Sequence, residues 1–214
     1  MSSIAPAILA ETADQYKMQV EKVQPFTERA HIDISDGVFA PTFTVAPQEL
    51  WWPQEWTADI HAMVANPSQY LQALVPLKPH MVIFHAEVEE DLLQSFGFLK
   101  QYGIKAGLAL QRPTVPKNVA EYIRAADHVM VFSGELGKYG GTASLMQLEK
   151  VRLIKQINPD AEIGWDGGVN LDNAYTLTQG GVNILNTGGA IQQAPDAQIM
   201  YKKLVDEINK QGVI

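Results

Sequence analysis

The sequence predicts an α/β fold of the (β/α)8 TIM-barrel type, on three observations. Short β-rich runs alternate with helical patterns from end to end, the signature of repeated βα units around a parallel sheet. The runs number eight. Polar, chemistry-bearing residues recur at the C-terminal ends of several of them, which is where a barrel gathers its functional groups. An open doubly wound sheet would carry a Gly-rich fingerprint after its first strand, and the segment after Leu9 has none.

The first strand is expected over residues 4–9, followed by a helix opened by a capping box of Thr12 with Gln15. The second and third strands fall at 29–34 and 57–61. Between them cluster Trp51, Trp52 and Trp56, read as packing of the barrel rim in preference to a subunit contact. The fourth strand, 81–85, precedes a helix with apolar Leu92, Phe96 and Leu99, closed by a left-handed Gly103. The fifth is 105–110 and the sixth 128–132. A helix with Leu145, Leu148, Val151 and Ile154 on one face comes next. The seventh strand is 162–166, with Gly180 placed as the left-handed end of its helix, and the eighth is 184–187.

With 214 residues, 46% hydrophobic and 19% charged, and no linker or low-complexity tract, the chain is expected to form one domain over residues 1–214. The absence of cysteine excludes disulfides and thiolate ligands and leaves His and carboxylates as the strong metal ligands. A formal charge of −8 argues against nucleic acid or an anionic membrane as partner. It leaves room for a phosphorylated small molecule, because backbone N–H groups hold phosphate locally. No apolar run reaches the roughly 18 residues of a spanning helix, and no basic stretch leads into an apolar one at the N-terminus. The expected location is cytoplasmic.

Strand alternation puts His31, Asp33 and Ser35 on one face, with Ile32 and Ile34 on the other. By the same rule Asp59, His61 and Met63 share a face of the third strand, and Gly164 and Asp166 a face of the seventh. Taken alone, His31-x-Asp33 is read as a hydrogen-bonded structural pair, His61 as a core histidine, and Asp36-Gly37 and Asp166-Gly167-Gly168 as ordinary turns. Together, His31, Asp33, His61 and Asp166 fall at C-terminal strand ends and converge on one mouth. This mixed N/O set suits one divalent ion, Zn(II), Fe(II), Mn(II) or Co(II). Three glycine pairs follow the sixth, seventh and eighth strands: Gly140-Gly141, Gly167-Gly168 and Gly188-Gly189. On this scaffold such loops, with a short helix opening at 188–191, favour a phosphate group. Lys138 sits among these glycines as a candidate further phosphate contact, with a solvated loop lysine as the alternative.

These residues resemble those of the ribulose-phosphate 3-epimerase family over residues 4–191. The matching stretches are Ile4-Ala5-Pro6-Ala7-Ile8-Leu9, His31-Ile32-Asp33-Ile34-Ser35-Asp36-Gly37, Ile60-His61-Ala62-Met63 with Asn66-Pro67, Tyr139-Gly140-Gly141, and Trp165-Asp166-Gly167-Gly168-Val169-Asn170. The resemblance implies a ribulose-phosphate-binding barrel and a metal-dependent isomerase of pentose phosphate metabolism that interconverts D-ribulose 5-phosphate and D-xylulose 5-phosphate. It implies metal ligation by His31, Asp33, His61 and Asp166, with Asp33 and Asp166 also acting as the acid/base pair through an enediolate. It also implies a phosphate held by the three glycine loops, Met63 beside the metal, and a homo-oligomer, dimer or hexamer. The chain departs from the family at Ala7, where serine is usual, at Ser35 and Phe132, where methionines line the metal, at Gln111-Arg112, and in the loop Leu136 to Thr142. A hexulose 6-phosphate such as allulose 6-phosphate, or a binding homologue without catalysis, are therefore the alternatives. An aldolase or an orotidine-phosphate-type decarboxylase would need a lysine at a strand's C-terminal end, and Lys78 and Lys105 lie at the opposite rim.

Overall fold

The computed structural model describes residues 2–210, so Met1 and residues 211–214 of the expected 1–214 span lie outside the described residues. Eight strands, β1 (Ser3–Leu9), β2 (Arg29–Ser35), β3 (Thr57–Met63), β4 (Met81–His85), β5 (Lys105–Leu110), β6 (His128–Phe132), β7 (Glu162–Asp166) and β8 (Ile184–Thr187), close into a parallel barrel in sequence order. Five coincide with the expected runs. The first three are longer. β2 and β3 stay paired through Ser35↔Met63, because the ladder hydrogen bonds continue past Ile34 and His61, where the expected runs stop.

Helices α1 (Ala13–Val23), α2 (Pro67–Leu74), α3 (Leu92–Gln101), α4 (Ala120–Ala125), α5 (Leu148–Ile157), α6 (Ala174–Gln179), α7 (Gly189–Gln192) and α8 (Ala197–Asn209) cover the sheet. The expected alternation fails once: between β2 and β3 the helical content of the described residues is a single 3-10 turn, Pro47–Glu49. Pro41, Pro47 and Pro53 punctuate that stretch and withhold backbone donors a helix would need. Val45, Leu50 and Trp56 bury themselves in the helix's place. The tryptophan cluster is thus core packing at Trp56, whereas Trp51 is 43% exposed. Tyr16 of α1 donates its hydroxyl to the Trp51 carbonyl at 2.7 Å.

Three local expectations need correction. Thr12 does cap α1, accepting from the Gln15 N–H, but the Gln15 side chain accepts from Glu11 N–H, so the reciprocal half of the box is displaced by one residue. At the end of α6, Gly180 has φ −74 and the left-handed residue is Gly181, at φ 92. Gly180 is small for a different reason: a Cβ there would lie 2.5 Å from Leu148 Cδ2. Leu145 precedes α5 in a 3-10 turn and is 42% exposed, so the buried stripe begins with half-buried Leu148 and runs through Val151 and Ile154. Gly103 is left-handed as expected, at φ 73.

The main core lies between sheet and helices, with Ile32, Ile60, Phe84, Leu108, Val131 and Trp165 fully buried. Inside the barrel a smaller cluster of Met81, Ile83, Ala109, Met130 and Phe132 fills one side. The floor is ionic. Arg29 donates from Nε to Asp59 at 2.6 Å and from both Nη atoms to Glu162 at 3.0 and 2.8 Å, and His128 Nδ1 lies 2.9 Å from Glu162. Functional groups therefore collect at the other end.

Candidate metal and acid/base site

β2 and β3 run side by side in register, so Asp33 pairs with His61 across the ladder. β7 carries Asp166 to the same mouth. The interior-facing positions of three strands thus deliver four side chains to one point. His31, Asp33, His61 and Asp166 each offer one ligand atom, all within 4.8 Å of one another. His61 Nδ1 is 2.7 Å from Asp33 Oδ1 and 3.7 Å from Asp166 Oδ2, and His31 Nε2 is 3.3 and 3.9 Å from the same two oxygens. Both imidazoles are buried to 0% exposure. Neither ring nitrogen of His31 has a hydrogen-bond partner among the described residues. A buried nitrogen left unpaired is costly, and a cation meets that need. Two imidazoles and two carboxylates with no sulfur fit a first-row divalent ion.

The two aspartates differ in proton affinity. Burial pushes the Asp33 carboxyl up, but His31 and then His61 beside it outweigh this and hold it well below the ordinary carboxylate range. Asp166 is raised, by burial first; His31 and His61 pull against that, while the Asp33 charge adds to it. Burial by itself would lower His31, yet Asp33 and then Asp166 raise it.

The three glycine pairs come together beside the aspartates. Gly168 N–H donates to the Gly140 carbonyl at 3.1 Å, and a Cβ on Gly189 would meet Gly140 N at 3.5 Å. Gly167 sits at φ +103, and a Cβ there would lie 2.0 Å from Gly134 N, so only glycine fits between the loops after β6 and β7. α7 forms as expected, opening at Gly189. The N–H groups of Gly189 and Ala190 donate to no group among the described residues. Lys138 stands at the outer edge, with Nζ 3.1 Å from Glu135 and both side chains more than half exposed. Met63 is 2% exposed and accepts from Gly137 N–H through its sulfur at 3.4 Å, so it supports the same loop.

Sequence reasoning missed three features. Tyr139 straps the loop after β6 across the mouth: its hydroxyl accepts from Leu9 N–H at 2.6 Å, donates to the Gln19 carboxamide, and lies 3.3 Å from the Ala7 carbonyl. Asn186, on β8 beside Asp166, lines the cavity between the two aspartates and the glycine loops and is 2% exposed, with its Oδ1 unpartnered among the described residues. Glu87 backs His85, the polar residue sequence reasoning does find at the end of β4, and His85 in turn stands behind His61. Glu87 lies in the turn just past β4, where strand alternation no longer applies, so only its nearness to His85 in sequence could have hinted at the contact.

A sequence model of the Ribulose-phosphate 3 epimerase family matches residues 3–192. A ribulose-phosphate 3-epimerase from Helicobacter pylori (strain ATCC 700392 / 26695) is 29% identical over 209 residues, covering 94% of this chain and 95% of that one. One from Bacillus subtilis (strain 168) is 28% identical over 219 residues, covering 97% and 98%. Among solved structures, 3-hexulose-6-phosphate synthase from Salmonella typhimurium superposes with a TM-score of 0.71 at 16% identity, covering 96% of this chain and 98% of that one. That last likeness concerns the fold alone.

Proposed function

The chain belongs to the ribulose-phosphate 3-epimerase family and is a carbohydrate epimerase, and from that premise we propose that it inverts C3 of D-ribulose 5-phosphate to give D-xylulose 5-phosphate, and the reverse. The observation that carries this reading is the placement of Asp33 and Asp166 at one mouth with His31 and His61 against both. Inverting a carbon beside a ketone requires one group to take the C3 proton from one face and another to return a proton to the opposite face. As the C3–H bond breaks, its electron pair moves toward C2 and the carbonyl oxygen takes negative charge. Protonation of C3 from the other side sends the pair back. Asp33 and Asp166, meeting at one mouth from strands across the barrel, serve as this pair.

His31, Asp33, His61 and Asp166 would hold one divalent ion, Zn(II), Fe(II), Mn(II) or Co(II). When bound, such an ion supplies fixed positive charge beside the oxygens that become anionic. Phe132, packed against His61 with ring centroids 5.7 Å apart, helps exclude water from that corner. The phosphate is assigned to the backbone of Gly140, Gly141, Gly167, Gly168, Gly188 and Gly189, and Met63, which lines the same cavity, to contact with the substrate. Ser35 stands where the family has methionine and keeps a buried hydroxyl without a partner among the described residues. This smaller, polar side chain favours a second reading, a longer ketose such as allulose 6-phosphate. The same family premise supports one domain over residues 1–214 and a cytoplasmic homo-oligomer, dimer or hexamer. Among the described residues no helix is long and apolar enough to cross a membrane.

Metal-loaded protein incubated in D2O with ribulose 5-phosphate should place deuterium at C3 of both epimers. Allulose 6-phosphate run in parallel ranks the two substrates. Absence of deuterium from both sugars would leave the non-catalytic binding homologue in possession.

Lys138→Ala should raise KM about threefold at low ionic strength, the difference vanishing in high salt as surface charges are screened. A KM unchanged by the substitution at every salt concentration removes Lys138 from the phosphate site.

A further inference from the structure

Behind the four cation-facing residues runs a buried chain of close polar contacts that ends at the loop after β5. His61 turns Nδ1 toward Asp33, at 2.7 Å, and its other nitrogen, Nε2, lies 2.8 Å from His85 Nε2. His85 Nδ1 lies 3.2 Å from Glu87 Oε2. The second oxygen of Glu87 accepts from Gln111 N–H at 2.8 Å and from the Thr114 hydroxyl. Both imidazoles have 0% exposure, so water does not share these bonds.

From this we infer that Glu87 and His85 are positioning residues that decide which nitrogen of His61 offers its lone pair to the cation, an inference that rests on the metal reading above. A carboxylate accepts and cannot donate, so His85 Nδ1 must carry hydrogen. A neutral His85 then has a bare Nε2, which can only accept. The hydrogen between the two rings therefore belongs to His61 Nε2. With Nε2 committed to His85, Nδ1, which faces Asp33 and Asp166, is the nitrogen whose lone pair a bound cation would take. Two rings thus transmit an instruction from Glu87, which the loop after β5 holds in place. Partners of this kind behind a ligating histidine fix its tautomer and are worth about 10–100-fold in metal affinity.

Glu87→Gln tests the direction without changing shape. Gln111 N–H and Thr114 O–H are donors, so they keep the new amide's oxygen and leave its NH2 to face His85 Nδ1. The chain then reverses: His85 carries hydrogen on Nε2 and donates to His61. Zn(II) titration should show affinity about 10–100-fold weaker than wild type, while Glu87→Asp, which restores an acceptor, should recover most of it. In 15N spectra of the metal-free protein, the hydrogen on His85 should move from Nδ1 in wild type to Nε2 in Glu87→Gln. If Glu87→Gln does not fold, His85→Gln, whose carbonyl can still accept from His61 Nε2, should bind zinc within about threefold of wild type, and His85→Leu should fall in the 10–100-fold range. Unchanged affinity together with unchanged nitrogen signals in Glu87→Gln, or equal zinc binding by His85→Gln and His85→Leu, overturns the relay and leaves the metal site standing. Failure of the wild type itself to bind zinc through these histidines overturns both.

Discussion

Asp166→Asn and Asp33→Asn should each lower turnover about 10³-fold, the middle of the range typical for losing a positioned acid or base. Asparagine keeps the size of the side chain but can neither take nor give the C3 proton. Because each aspartate serves one face, the two variants should fail differently in D2O. Each should lose exchange into at least one epimer, and a variant that still labels its starting sugar retains the base on that face. Loss of a carboxylate also weakens the hold on a cation, so zinc content must be measured on the same samples. A variant with bound metal and lost exchange isolates proton transfer. Full activity in either variant would remove that residue from the mechanism.

Much of this site was legible in the sequence because strand alternation is a local rule. Once His31, Asp33, His61 and Asp166 are placed on strands, their common orientation follows, and the structure brings their ligand atoms within 4.8 Å. Five strands were bounded correctly for the same reason. What escaped depends on which distant segments touch. Tyr139 reaches Leu9 across 130 residues of sequence, and nothing near Tyr139 marks it as a strap. The missing helix before β3 was hidden by residues 45–56, whose apolar members bury without helical periodicity. Gly180 and Gly181 are adjacent, and sequence cannot say which one sits past the last helical turn; the contact of Gly180 with Leu148 does. The floor network was equally invisible, since Arg29 and Glu162 lie 133 residues apart.

That floor carries the largest stability effect. Arg29→Leu should destabilise the fold by about 3–5 kcal/mol, the cost of removing one partner from a buried ion pair. Asp59 is the group left stranded. Its side chain is only 2% exposed, Arg29 satisfies Oδ2, and Oδ1 has no partner among the described residues. Glu162 loses two hydrogen bonds but keeps His128 and is 33% exposed, so it contributes less. For a chain of this length the deficit corresponds to a Tm lower by roughly 10 °C. Arg29→Lys should fall between, because an ammonium cannot reproduce the forked contact. Acid supplies an independent check. Burial pushes the Glu162 carboxyl up, but the hydrogen bonds from His128 and Arg29 outweigh it and hold the group well below the ordinary carboxylate value. A depressed acid stabilises the fold above its unfolded pKa, about 4.3, and that contribution drains away as pH falls from there through the folded value. The Tm gap between wild type and Arg29→Leu should therefore be widest near neutrality and narrow steadily below pH ~4. A gap under about 2 °C at pH 7, or one that widens in acid, would mean that the arginine contributes through packing of its stem and that the charges are incidental.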